Sequence, residues 1–191
     1  SLMTIQVYLF SSLIQSFDEN TLNTMLPTFE PISPSLMKGE MVLEVSDALN
    51  PLDLYDLLVQ DFDPELVMVP MHETTAWVSE SLIERTIPTL KPGFYSIERY
   101  LYEVILDHVE VRNEIAKALE ALLDKEMIDT LVKYAIHEMN ASKASKHLYI
   151  HRNTLNYRFS VFEEKTGLDP KDFHTIALIY ALFHSQFMHS A

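Results

Sequence analysis

The spacing of apolar and polar positions changes character part-way along the chain. Up to about residue 92, short β-prone apolar runs alternate with segments of helical spacing; beyond it the spacing is helical throughout. Residues 4–10 (TIQVYLF), 41–45 (MVLEV) and 66–69 predict strands. Residues 20–26, 52–59 and 74–84 predict short helices. Pro51 suits the first turn of the second of these, and Val78 and Leu82 lie four apart on one face of the third. Pro27, Pro31 and Pro34 punctuate a loop after the first helix, and residues 88–92 with Gly93 predict the domain boundary.

The second part predicts helices over residues 97–108, 112–123 and 126–139. In the third, Ile128, Leu131, Val132, Ala135, Ile136 and Met139 form an amphipathic stripe. Tyr95, Tyr100 and Tyr102 read as packing of this helical platform. A last helix over 173–188 is apolar around most of its circumference, so it is either buried or the seam of a dimer. The expected fold class is α+β. A small mixed α/β N-terminal domain (1–92) precedes an all-α helical platform (93–191) with a helix-turn-helix at about 142–165.

Residues 140–169 (NASKASKHLYIHRNTLNYRFSVFEEKTGLD) carry the candidate chemistry. Ser142 is the expected cap of a first helix. Ala144 is small enough for a crossing helix to approach, and Leu148 closes the inner face. Tyr149, Ile150 and His151 make the turn. A second helix runs from about Arg152 to Lys165, with Gly167 as its left-handed terminator. At about 100° per residue, Leu155, Phe159 and Phe162 share a face that must be buried. Asn153, Asn156, Tyr157 and Ser160 share the opposite one, with Arg152 and Arg158 flanking the apolar stripe. Amides, a phenol and arginines suit a DNA major groove: Asn pairs with adenine, and Arg with guanine or phosphate. The N-terminal residues of such a helix lie nearest the bases. Lys143 and Lys146 sit where backbone phosphates would pass.

This stretch resembles the C-terminal helix-turn-helix of the PucR and CdaR transcription regulators of bacteria. The residues that carry the resemblance are Ala144, Leu148, His151, Arg152, Asn153, Thr154, Leu155, Tyr157, Arg158, Glu163, Glu164, Thr166, Gly167 and Leu168. A weaker likeness reaches back to about Gly93, so the resemblance covers roughly the last hundred residues, as in a shortened member. It implies a DNA-binding regulator whose module works in an oligomer while the upstream part senses a signal. The expected DNA contacts are Lys143, Lys146, His151, Arg152, Asn153, Thr154, Asn156, Tyr157 and Arg158, with His151 and Thr154 shaping the helix start. The chain departs from the family at Asn156 and Val161, where a basic residue is common. Those departures motivate the alternative, a non-catalytic protein-interaction module with weak or no DNA binding.

Charge sharpens the division. Residues 1–124 carry six bases and 21 acids; residues 125–191 carry eight bases and seven acids; 140–165 carry five bases and two acids. Such asymmetry suggests two units with different work. There is no cysteine, which excludes disulfides, thiolate metal sites and cysteine nucleophiles. The three glycines, Gly39, Gly93 and Gly167, lie too far apart for phosphate-cradling loops or nucleophile elbows. No catalytic residue, cofactor or metal site is expected. His147 and His151 straddle the turn, and His184 and His189 have no nearby carboxylate. The acidic run Asp53, Asp56, Asp61, Asp63 and Glu65 reads as a solvated helix face and loop. No apolar run reaches the length of a membrane helix. The expected partners are double-stranded DNA, a second copy in a homodimer, and a small-molecule effector or protein at the acidic half; no membrane partner is expected. The expected compartment is the cytoplasm.

Overall fold

A computed structural model describes residues 4–11, 40–46, 50–61 and 63–187. The helix expected over 20–26 and the proline loop after it lie outside the described residues. The fold is α+β, with the sheet in the first part and helices alone in the second. The chain forms two compact units, 1–97 and 98–191.

In the first unit, β1 (Thr4–Phe10), β2 (Glu40–Ser46), β3 (Val67–Met71) and β4 (Gly93–Phe94) make a sheet in the order β2-β1-β3-β4. β1 is antiparallel to both neighbours, while β3 and β4 run parallel. Alternation along β1 buries Ile5, Val7 and Leu9 against Leu54 and Leu58 of α1 (Pro51–Asp61), together with Leu66 and Met68. β3 is buried at all five positions, as an inner strand's unbroken apolar run requires. Leu66 and Met68 turn their carbonyls to β4, accepting from Gly93 and Tyr95. Pro70, two residues on, faces the same side beyond the end of β4, where a missing N–H leaves no ladder bond unmade.

The helix expected over 74–84 is two pieces. A 3-10 turn at Glu73–Thr75 is followed by α2 (Glu80–Thr86). Ser79 restarts the helix, its Oγ accepting from the Leu82 N–H at 3.1 Å. Val78 and Leu82 are nonetheless both buried. Asp63 departs from the solvated reading of the acidic run: it is buried, accepting from the Ser11 hydroxyl and from the Glu65 N–H at 2.9 Å. Asp53, Asp56, Asp61 and Glu65 are exposed. Tyr8 is half-turned to a groove of about 510 Å³ beside α2. Burial, then the carboxylates of Glu80 and Glu84, push its phenol above the usual range.

The second unit holds α3 (Ile97–Asp107), α4 (Val109–Leu122), α5 (Lys125–Ile136), α6 (Ala141–His147), α7 (Arg152–Thr166) and α8 (Phe173–Phe187). α5 starts at an Asp124 cap, whose Oδ1 accepts from the Met127 N–H at 2.7 Å. It ends three residues before the expected 139. Glu138 and Met139 are both left-handed (φ 59° and 58°), and the Met139 N–H closes back on the Tyr134 carbonyl. α8 packs along α5 and buries Ile176, Leu178, Ile179, Phe183 and Phe187, so the burial reading of this helix holds for most of its length. Phe173 stays 62% exposed. Among the described residues, no helix is long and apolar enough to cross a membrane.

Candidate nucleic-acid interface

α6, the turn and α7 form the expected helix-turn-helix. Its first cap differs from the expectation: Asn140, not Ser142, caps α6. The Asn140 Oδ1 accepts from the Ser142 and Lys143 N–H groups at 3.1 and 3.0 Å. Both residues are favoured caps, but only the one preceding the first helical turn faces the free N–H groups. Ala144 is fully buried where α7 crosses. The turn runs through Tyr149, held left-handed at φ 54°. His151 caps α7, its Nδ1 accepting from the Asn153 N–H at 3.2 Å. Gly167, at φ 70°, terminates α7 as expected.

α7 has two unlike faces. Leu155, Phe159 and Phe162 are buried, and the Phe159 ring lies 4.8 Å from that of Tyr134 on α5. Burial, then the charge of Asp169, raises the Tyr134 phenol. Arg152, Asn153, Thr154, Asn156, Tyr157 and Ser160 are exposed. Among the described residues, the side chains of Arg152, Asn153, Asn156 and Tyr157 make no hydrogen bond or ion pair. Ser160 donates to the Asn156 carbonyl at 3.2 Å.

Arg158 is placed differently from its exposed neighbours. Its side chain is 18% exposed and turns back onto α5. Nη1 donates to the buried Thr130 hydroxyl at 2.7 Å, and Nη2 pairs with the Glu126 carboxylate. An arginine held by two groups one turn apart on α5 fixes where α7 sits. Asn140, Glu126 and Thr130 are the site residues that sequence reasoning missed. Asn140 was legible, being a favoured cap residue in the cap position. Glu126 and Thr130 lie 32 and 28 residues from Arg158 and carry no local signal.

On α6, Lys143 and Lys146 are exposed, and Lys143 makes a loose pair with Glu138 at 3.4 Å. His147 ends α6, its ring 4.8 Å from that of His137. His184 lies on Tyr180, with Nδ1 2.7 Å from that residue's carbonyl oxygen; His189 lies outside the described residues. No cluster of three or more His, Asp or Glu ligands occurs among the described residues. Tyr95 and Tyr100 are buried, and Tyr102 packs beside Phe173 and His174.

Residues 127–184 match the PucR C-terminal helix-turn-helix domain. Over 85 residues the chain is 32% identical to the proline-responsive transcriptional activator PutR of Bacillus subtilis, covering 39% of this chain and 21% of that protein. Over 93 residues it is 33% identical to the carbohydrate diacid regulator of Escherichia coli, covering 45% of this chain and 24% of that protein. The chain thus spans about a quarter or less of these relatives. The fold resembles that of the regulator of polyketide synthase expression from Bifidobacterium adolescentis, with a TM-score of 0.50 at 16% identity. That match covers 98% of this chain and 82% of the other. The matched segment contains the capped first helix, the left-handed turn and the two-faced α7. The helical unit of this chain therefore carries a helix-turn-helix of the PucR/CdaR type.

Proposed function

We propose that this chain is a DNA-binding transcriptional regulator without catalytic activity, which lays α7 in the major groove of double-stranded DNA. The observation that carries the reading is the exposed face of α7, where Arg152, Asn153, Asn156 and Tyr157 have no partner within the described structure. The buried stripe opposite fixes that face outward. Arg152, Asn153, Asn156 and Tyr157 approach base edges. Lys143 and Lys146 contact phosphates. His151 and Thr154 set the helix start beside the backbone. Arg158 positions α7 against α5 rather than reaching DNA. Two copies in a symmetric dimer would read half-sites roughly 34 Å apart. The acidic first unit would take an effector or mediate self-association, and a cytoplasmic location follows from the role. One relative is named as a transcriptional activator and the other as a regulator, which supports DNA over a protein partner for the exposed helix.

The test is retention of duplexes from a random-sequence pool at about 50 mM salt, where phosphate contacts are least weakened. Enrichment of a two-fold symmetric site, lost in Arg152→Ala, is the expected result. A folded protein that retains no duplex overturns the reading.

A further inference from the structure

Resting on the DNA-binding reading, we propose that Asn153 and Asn156 read adenines at two nearby base pairs, so that each half-site carries an A·T pair at both positions. Two observations, the exposure and the spacing of these amides, carry this together with the chemistry of the carboxamide. Both residues are exposed on one face of α7, and among the described residues neither carboxamide has a partner. A free carboxamide presents a donor and an acceptor together, which matches the N6 amino group and N7 of adenine in the major groove. A cation at residue 156 would instead favour guanine or a phosphate. The two residues are three apart, so they are separated by about 4.5 Å along the helix axis. Stacked base pairs lie about 3.4 Å apart, so the two amides meet adjacent or once-removed pairs.

The rest of the face narrows the choice. Arg158 is engaged with Thr130 and Glu126, and the Ser160 hydroxyl with the Asn156 carbonyl. Tyr157, 69% exposed beside Asn156, offers a ring edge to the thymine methyl paired with the second adenine. Arg152, at the helix start, is left for a flanking guanine or phosphate. Each bidentate contact is expected to favour adenine over other bases by about 5- to 150-fold.

The experiment measures binding of the full chain to the selected duplex and to its single-base-pair variants, across a salt series. Asn153→Ala and Asn156→Ala are compared with the unaltered protein, all matched in unfolding midpoint. The selected half-site should hold two A·T pairs separated by at most one base pair. Asn156→Ala should flatten preference at one of them and Asn153→Ala at the other, with the salt slope unchanged. Asn156→Arg should shift preference toward guanine or steepen the dimer's slope by about 2, one contact from each copy. Selected half-sites with G·C at these positions, or full preference retained in both alanine variants, would overturn the base assignment while leaving DNA binding standing. Retention of no duplex by the folded protein overturns the DNA-binding reading, and the assignment with it.

Discussion

At the scale of single residues, the turns on either side of α6 are made without glycine. Tyr149 is 96% exposed and left-handed, so its ring contributes no packing to offset its backbone conformation. A left-handed L-residue costs roughly 1–2 kcal/mol, part of which glycine's greater chain entropy would return. Tyr149→Gly is therefore expected to raise stability by about 0.5–1 kcal/mol, read as a higher urea midpoint at unchanged slope. Glycine was the residue to expect at such a seat, so sequence alone could place the turn but not its left-handed residue. The cap prediction separates two neighbours. Asn140→Ala should cost about 1 kcal/mol, and Ser142→Ala close to nothing. Equal losses would return the cap to Ser142. Gly167 shows the opposite case: its type, position and role were all legible, because a glycine just past an apolar period has few other uses.

At the scale of elements, α7 was legible because its stripe is local. Leu155, Phe159 and Phe162 recur at helical spacing, and the structure buries all three. What the pattern could not display is how α7 is oriented, since its anchor lies on another helix. Arg158 looked like one more surface cation and is instead bound by Thr130 and Glu126. Breaking that anchor should act on geometry more than on charge. Arg158→Met is expected to weaken specific binding roughly ten-fold, an estimate for a misplaced reading helix, while leaving the salt slope unaltered. A dimer slope shallower by about 2, one contact from each copy, would instead place Arg158 on a phosphate. Thr130→Val tests the same anchor without removing a charge, and should move binding in the same direction by less. The helix breaks at 79 and 137–139 were also hidden. Apolar spacing continued across both, while a cap at Ser79 and two left-handed residues interrupted the backbone. Ala144 marks how closely the two helices approach. Ala144→Leu should overpack the crossing and cost about 1–3 kcal/mol in denaturant unfolding.

At the scale of the molecule, buried and half-buried phenols make stability depend on alkaline pH. Burial first, then neighbouring carboxylates, raise Tyr8, Tyr55 and Tyr134 above 10.0. The folded chain keeps these protons where the unfolded chain has begun to release them. Stability should therefore be level up to about pH 10 and fall as pH rises beyond it. Urea midpoints between pH 8 and 11 check this, and a midpoint that climbs above pH 10 would contradict it. The charge division acts through salt. The acidic residues of 1–124 repel DNA, but beyond about 10 Å this is screened at moderate ionic strength. On the helix-turn-helix, Lys143 and Lys146 are the cations placed for phosphates, so a dimer should show a log–log salt slope of about −4. This sparse cation set bears on how an operator would be found. Sliding along a duplex depends on sequence-independent attraction, which here is small, so arrival would come mainly by collision from solution. The same weakness would leave few molecules trapped on the rest of a chromosome. Occupancy would then follow the concentration of free protein, and a modest change in its synthesis would reach the promoter undiluted.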